Sequence, residues 1–261
     1  MPGIVLIGAG NVGTHLGQRL HTCGIPIKQV YSRQLSKAQK LARQIDAQAI
    51  NRWPELDPNA DLYILAVSDD AIAEVAHQMY AQLPPNALVV HTSGATPSRV
   101  LQCFQRHGVF YPLQTFSVDR RVDFSLIPIC VSASQSEDEA FLEKIGQTIS
   151  SKVYPINDEK RAVLHVAAVF ANNFANHCFQ ISYEVLENEQ LPFDLLLPLI
   201  QETARKITNQ RPANMQTGPA IRGDTDSIQR HLTYLKNTNN PYQEIYRQLS
   251  KSIRPSLELE D

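Results

Sequence analysis

Six residues near the start of the chain, Gly8-Ala9-Gly10-Asn11-Val12-Gly13, have the types and spacing to hold a pyrophosphate. Gly8 permits a tight turn, Gly10 lets the backbone approach phosphate oxygens, and Gly13 lets a helix pack closely on a strand. The backbone N–H groups at the start of that helix, around Asn11 and Val12, attract the negative charge. The pattern carries this meaning only between a strand and a helix. Here an apolar run, Ile4-Val5-Leu6-Ile7, precedes it and a helical pattern over 11–23 follows. The chemistry expected is dinucleotide binding.

The end of the next apolar run decides which dinucleotide. An NAD site usually places Asp or Glu there, about 20 residues beyond the glycines, to bind the ribose 2′-hydroxyl. This chain reads Val30-Tyr31-Ser32-Arg33, with no acid. A carboxylate would repel a 2′-phosphate, whereas Ser32 can donate to it and Arg33 can pair with it. Lys37 lies one helical turn beyond Arg33. NADP is therefore expected in preference to NAD, and the missing acid also counts against a methyltransferase. Further along, Val67 and Ser68 are expected beside the cofactor, and Ser93 facing the nicotinamide or the substrate, because ligands bind at the carboxyl ends of parallel strands. Two positions keep plainer readings: Asp69 as a helix N-cap and Ser93-Gly94 as a simple turn. His91 reads equally as a satisfied strand-end histidine or a functional one.

A second group of polar residues, Arg161, His165, Asn172, Asn173 and Asn176, interrupts an otherwise apolar helical pattern. At about 100° per residue, Arg161, His165, Asn172 and Asn176 form one seam, with Asn173 offset by about 80°. Burying imidazole and amide groups is unfavourable unless they are paired or needed. One reading is a hydrogen-bonded core or helix–helix network. The other is a catalytic face, with His165 as proton donor or acceptor and Asn172 and Asn173 as positioning residues. Arg222, in the stretch 217–224, has the chemistry to clamp a carboxylate, and Asp224 reads as an N-cap for the helix that follows.

These residues require a particular frame. Short, mostly continuous apolar runs at 4–7, 27–31, 62–67, 87–91, 109–111 and 127–131 suit parallel strands buried on both faces. Helical patterns over 11–23, 35–45, 69–80 and 137–150 alternate with them. The fold expected is α/β, a Rossmann-type doubly wound and mostly parallel sheet. After Pro155 the strand signal stops, and helices are expected at 158–188, 193–208, 225–235 and 242–253. The domains are read as 1–157, binding the dinucleotide, and 158–261, all-α. The helix from Asp158 is apolar around much of its circumference, which suits a bundle or a subunit interface, so a homodimer through the helical half is expected.

The 261 residues suit two domains. Hydrophobic residues make up 43% and charged residues 19%, an ordinary globular balance. With 24 Lys plus Arg against 26 Asp plus Glu, the formal net charge is -2, so there is no broad positive field for nucleic acid. No apolar run approaches the roughly 18 residues of a membrane span, and the first strand leaves no room for a signal peptide. Cys23, Cys103, Cys130 and Cys178 are scattered, which suits neither a zinc site nor a disulfide framework. A cytoplasmic location is expected, with no metal.

Taken together, the glycine motif, Tyr31-Ser32-Arg33, His91-Thr92-Ser93-Gly94-Ala95, Phe110-Tyr111-Pro112-Leu113-Gln114-Thr115-Phe116-Ser117, His165 with Ala167-Ala168, Asn172-Asn173, and Gly218-Pro219 with Arg222 resemble one uncharacterised bacterial family. Its members pair a Rossmann-like domain with a helical domain of unknown function and are commonly labelled NADP oxidoreductases. The resemblance covers nearly the whole chain. Wider relatives are the 6-phosphogluconate dehydrogenase-like enzymes, including ketopantoate reductase, pyrroline-5-carboxylate reductase, β-hydroxyacid dehydrogenases and prephenate dehydrogenase. It implies a helical second domain that often forms the dimer interface, with the active site between domains. Many β-hydroxyacid relatives use a Lys-x-x-x-Asn pair on the long helix; this chain departs from that pattern and offers His165 with Asn172-Asn173. Some relatives carry a deazaflavin label, which no residue here specifically supports.

The activity expected is NADPH-dependent reduction of a small carbonyl or imine compound, one bearing a carboxylate among them. The alternative is a non-catalytic NADP(H)-binding or redox-sensing dimer.

Overall fold

The first strand, β1 (Ile4–Ile7), is buried along its whole length, and its alternate side chains build two separate cores. Ile4 and Leu6 pack with Leu16 and Leu20 of α1 (Asn11–Thr22), Leu41 of α2 (Leu35–Ala42) and Leu142 of α4 (Ser136–Ile149). Val5 and Ile7 pack on the other face with Ile72 and Met79 of α3 (Ile72–Tyr80) and with Leu101 and Phe104. Each fully buried aliphatic side chain contributes about 1.5–3 kcal/mol, so a strand with no polar residue is strongly held between two helix layers. The computed structural model describes every residue except Met1, Val118, Arg121, Asn239, Glu260 and Asp261.

Among the described residues, eight strands form one sheet. To β1 are added β2 (Ile27–Tyr31), β3 (Gln48–Ile50), β4 (Leu62–Leu65), β5 (Leu88–His91), β6 (Arg106–Pro112), β7 (Ile129–Ala133) and β8 (Val153–Pro155). Their order is β3-β2-β1-β4-β5-β6-β7-β8. All neighbours are parallel except β6 and β7. The chain is thus α/β, with a Rossmann-type, mostly parallel sheet whose order reverses between β1 and β4, where such sheets open a crevice. The expected strands are present with small shifts. The three-residue strands β3 and β8, and the antiparallel turn into β7, carry no sequence pattern strong enough to have been expected.

Helices follow the sheet: α5 (Asp158–Ala168), α6 (Ala175–Asn188), α7 (Leu197–Lys206), α8 (Pro219–Arg222), α9 (Thr225–Asn237) and α10 (Gln243–Ile253). The stretch expected as one helix over 158–188 is α5 and α6 joined by a π-helical turn, Val169–Phe174. Such turns disrupt the regular ladder and recur at functional sites. The expected boundary near Asn157 differs from the division by backbone contacts, which falls after Asn172 and gives units 1–172 and 173–261. The cause is local. Asp158 accepts from the Ser98 backbone N–H at 2.7 Å and from its hydroxyl at 2.9 Å. Arg161 donates to the Thr96 carbonyl at 2.5 Å. These bonds keep α5 with the sheet.

In the second unit Asp224 caps α9 as expected, accepting from the Ser227 N–H at 3.0 Å. The buried core there is small, formed by Ala220, Ile228, Leu232 and Leu257. An apolar cavity of about 440 Å³ lies among α6, α9 and α10. Among the described residues no helix is long and apolar enough to cross a membrane.

Candidate active site

The glycine loop is shaped by contacts that exclude side chains. Gly8 has φ 114°, in the region that favours glycine, and a β-carbon there would lie 2.2 Å from the Ala66 carbonyl oxygen. A β-carbon on Gly13 would lie 2.2 Å from the Gly8 carbonyl oxygen. Gly10 differs: nothing stands within 4 Å of the position its β-carbon would take. Gly8 and Gly13 are therefore glycine for the protein's own packing, and Gly10 faces open space. Asn11 and Val12 begin α1, whose first turn carries no acid to repel an anion.

A cleft of about 500 Å³ opens beside this loop. Gly8, Gly10, Ser32, Arg33, Val67 and Ser68, all expected at the cofactor, line it together with Lys37. Ser32 and Arg33 leave the end of β2, and Lys37 belongs to α2, so the two cations flank a cleft with no carboxylate at the end of β2. This arrangement fits a dinucleotide with a 2′-phosphate. Five cleft residues were not foreseen: Trp53, Ala71, Glu74, Val75 and Gln78. Ala71, Glu74, Val75 and Gln78 recur at i, i+3, i+4 and i+7, so the helical period marks them as one face. Trp53 stacks on Tyr31 with ring centroids 3.9 Å apart. Asp69 is not the cap of α3; a short 3₁₀ turn, Asp69–Ala71, precedes that helix, with Ser68 in the cap position.

A second cluster stands at the carboxyl ends of β5 and β6. His91 is fully buried; its Nδ1 accepts from the Ser93 N–H at 3.1 Å, while Nε2 has no partner among the described residues. Burial, reinforced by the nearby Arg161 charge, pushes the His91 pKa down to about 4, so its ring is neutral at physiological pH. The Ser93 hydroxyl donates to Thr96 Oγ1 at 3.0 Å and accepts from the N–H groups of Ala95 at 3.2 Å and Thr96 at 2.9 Å. Its hydrogen-bonding capacity is spent on its own loop. These are the bonds of the simple turn that Ser93-Gly94 is expected to form, the other expectation for Ser93 being a place beside nicotinamide or substrate.

Arg161 is buried, pairs with Asp158 at 2.8 Å and grips the Thr96 carbonyl, while its Nε has no partner among the described residues. One turn further along α5, His165 brings Nδ1 against Gly94 and Tyr111; a β-carbon on Gly94 would lie 2.7 Å from that nitrogen. His165 therefore stands at the strand ends and is partly exposed. Asn172 and Asn173, in the π-helical turn, are exposed, the first at the end of one unit and the second at the start of the other. Arg222 ends the short helix α8 in the second unit. Among the described residues no three His, Cys, Asp or Glu side chains gather to hold a metal ion.

Residues 3–116 match the model of a Rossmann-like domain, and residues 127–253 match a domain of unknown function, DUF2520. No curated protein matches the chain. Among solved structures, a "putative NADP oxidoreductase" from Bacteroides fragilis is 44% identical, covers 97% of this chain and 98% of its own, and superposes with a TM-score of 0.91. An imine reductase from Myxococcus stipitatus in complex with NADP+ is 14% identical over 98% of this chain and 94% of its own, with a TM-score of 0.73. A reductive aminase from Aspergillus terreus, in complex with NADPH and ethyl-5-oxohexanoate, is 17% identical over 100% of this chain and 96% of its own, with a TM-score of 0.73. The last two are likenesses of fold.

Proposed function

We propose, because the chain belongs to the family that joins a Rossmann-like domain to the helical domain DUF2520, that it is an NADP(H)-dependent oxidoreductase that reduces the C=O or C=N bond of a small compound. A substrate that also bears a carboxylate is the narrower form of this reading. The observation that carries it is the cleft where open backbone at Gly10 meets Ser32, Arg33 and Lys37, with no acid at the end of β2. The Bacteroides fragilis relative, described as an NADP oxidoreductase, supports it.

When bound, NADPH supplies a hydride. The chain's own residues then have four tasks. Gly8, Gly10, Asn11, Val12 and Gly13 seat the pyrophosphate, Ser32 and Arg33 hold the 2′-phosphate beside Lys37, and Val67 and Ser68 run along the cofactor. His165 supplies the proton that balances the hydride, a task suited to an imidazole. Asn172 and Asn173 orient the substrate, and Ser93 keeps the strand-end loop in shape.

The competing reading, a non-catalytic NADP(H)-binding or redox-sensing protein, needs no acid near the strand ends. The position of His165 against Gly94 favours the reductase. The test is to mix protein and NADPH with small keto acids, ketones and cyclic imines and follow loss of the reduced-nicotinamide absorbance. Turnover of at least one class is expected; tight cofactor binding with none turned over would favour the sensor.

A homodimer through the helical half belongs to the same proposal. Neither α6 nor α7 has a single buried residue, although both are rich in apolar side chains. A second copy is the partner that would cover them. The four cysteines are free thiols, which suits the reducing cytoplasm.

A further inference from the structure

One side chain at the strand ends has suitable chemistry and no assigned task. Tyr111 is the penultimate residue of β6, and the pairing of His91 with Val109 carries it beside the Ser93-Gly94 loop. A β-carbon on Gly94 would lie 2.7 Å from Tyr111 Cζ, 2.8 Å from its Oη and 2.7 Å from His165 Nδ1. Two protic groups from different elements therefore converge over one residue that has no side chain. Their surroundings differ. His165 Nδ1 is sealed from solvent without a partner, whereas Tyr111 is half-buried and no group among the described residues hydrogen-bonds to its hydroxyl. A hydroxyl in that position is poised for a ligand rather than for the fold.

We propose that Tyr111 is the catalytic residue that hands the proton to the substrate, and that His165 stands behind it as the source of that proton. The proposal rests on the reductase reading above. Once the carbon of the C=O or C=N bond has gained a hydride from the reduced nicotinamide, the π pair of that bond resides on oxygen or nitrogen. That atom takes the proton of Tyr111, the phenolic O–H bond breaks, and its electron pair stays on Oη. The phenolate regains a proton by way of the His165 ring, which is resupplied with a solvated proton from bulk solvent. The net change is one hydride and one proton added across the double bond, with two electrons lost by the cofactor. The first transfer runs downhill, because an alkoxide is more basic than a phenolate (ordinary pKa about 10). Burial raises the Tyr111 phenol above its ordinary value, with Cys130 on β7 and Asp69 adding to the rise and Arg161 on α5 opposing it. The hydroxyl thus keeps its proton until substrate needs it.

Tyr111 beside a nicotinamide would feel the positive charge of the oxidised ring and not the neutral reduced one. The test uses protein labelled with ¹³C at tyrosine Cζ, with Tyr111→Phe, which keeps the ring and its packing, to assign the Tyr111 signal. Ionisation is followed from about pH 8 to about pH 10.5 with NADP+ or NADPH present, while Trp53 fluorescence in the same samples reports binding. The expected result is a Tyr111 midpoint lower by about one pH unit or more with NADP+ than with NADPH, as a unit charge within a few ångströms requires. Binding of both cofactors with the midpoint unmoved would overturn the role of Tyr111 and leave the cofactor assignment standing. Absence of binding would overturn the reductase reading and this proposal with it. With any compound the wild type reduces, Tyr111→Phe should lower kcat by about 10²–10³-fold at unchanged NADPH affinity. Undiminished kcat would overturn the proposal as well.

Discussion

Arg161 is 1% exposed, and its guanidinium holds the Asp158 carboxylate at 2.8 Å. Asp158 also takes two hydrogen bonds from Ser98, so the pair fastens the start of α5 to the loop that follows β5. His165 reaches Gly94 because Arg161, one turn earlier, is anchored there. Losing one partner of a buried pair typically destabilises by about 3–5 kcal/mol, and partial exposure of Asp158 puts the lower end in view here. Arg161→Met should lose about 3 kcal/mol in urea unfolding. A loss under about 1 kcal/mol would mean the anchor is dispensable.

The same pair gives an acid-side signature. Burial alone would raise the Asp158 pKa, but hydrogen bonds from Ser98 and Arg161 outweigh it and hold the carboxyl below its ordinary value of 3.8. A carboxylate depressed in the folded state contributes stability above that ordinary value and loses it as pH falls through the folded one. Asp158→Asn should therefore flatten the acid limb of the stability curve below about pH 4. An unchanged acid limb would contradict the assignment.

His91 has the opposite effect on the proton balance. Its pKa of about 4 lies below the unfolded value near 6.5, so between those values the unfolded chain binds more protons. Stability should be full above about pH 6.5 and fall progressively toward pH 4, by roughly 3 kcal/mol at most. His91→Gln keeps an acceptor for the Ser93 N–H and removes the titration. Urea unfolding at a series of pH values should show the wild-type slope disappear in this variant; parallel slopes would show that His91 does not titrate as described.

Gly10→Ala separates binding from folding. Its new β-carbon enters open space, so the melting temperature should change little, while NADPH affinity should fall at least tenfold, about 1.4 kcal/mol or more, because the methyl occupies the phosphate approach. Unchanged affinity in calorimetry would show that phosphates do not pass there.

Much of this was legible in the residues because the constraints are steric. Gly8, Gly10 and Gly13 follow from close approach, and Ser32-Arg33 from charge, so each can be read without knowing the fold. Ser93 reads from the sequence both as a turn residue and as one facing the ligand, and the partners of its hydroxyl, Ala95 and Thr96, depend on loop geometry that no spacing reveals. The meeting of Tyr111 and His165 over Gly94 depends on the register of β5 with β6 and on the anchoring of α5. The boundary near Asn157 marked where the strand signal stops, but the bonds of Asp158 and Arg161 carry the first unit further. The π-helical turn at Val169–Phe174 sits inside an unbroken helical pattern and leaves no trace in periodicity.

The second unit supplies an independent prediction. Leu195 and Leu199 are each 63% exposed, and among the described residues only four form its buried cluster. Sedimentation at micromolar concentration should give a dimer, and Leu199→Glu should shift it toward monomer by placing a charge on a face that the proposed dimer would cover. A wild-type protein that sediments only as monomer would refute the dimer.

The central claim is that this cleft selects NADP(H), and Trp53 provides the direct reading. It is the one tryptophan in the sequence, it lines the cleft, and its emission overlaps the absorption of reduced nicotinamide. Fluorescence titration should show NADPH binding at least tenfold tighter than NADH. Arg33→Ala should weaken NADPH by about 1.5–3 kcal/mol, roughly 10- to 150-fold, and leave NADH nearly unchanged. Equal affinity of the unmodified protein for both cofactors would contradict the account.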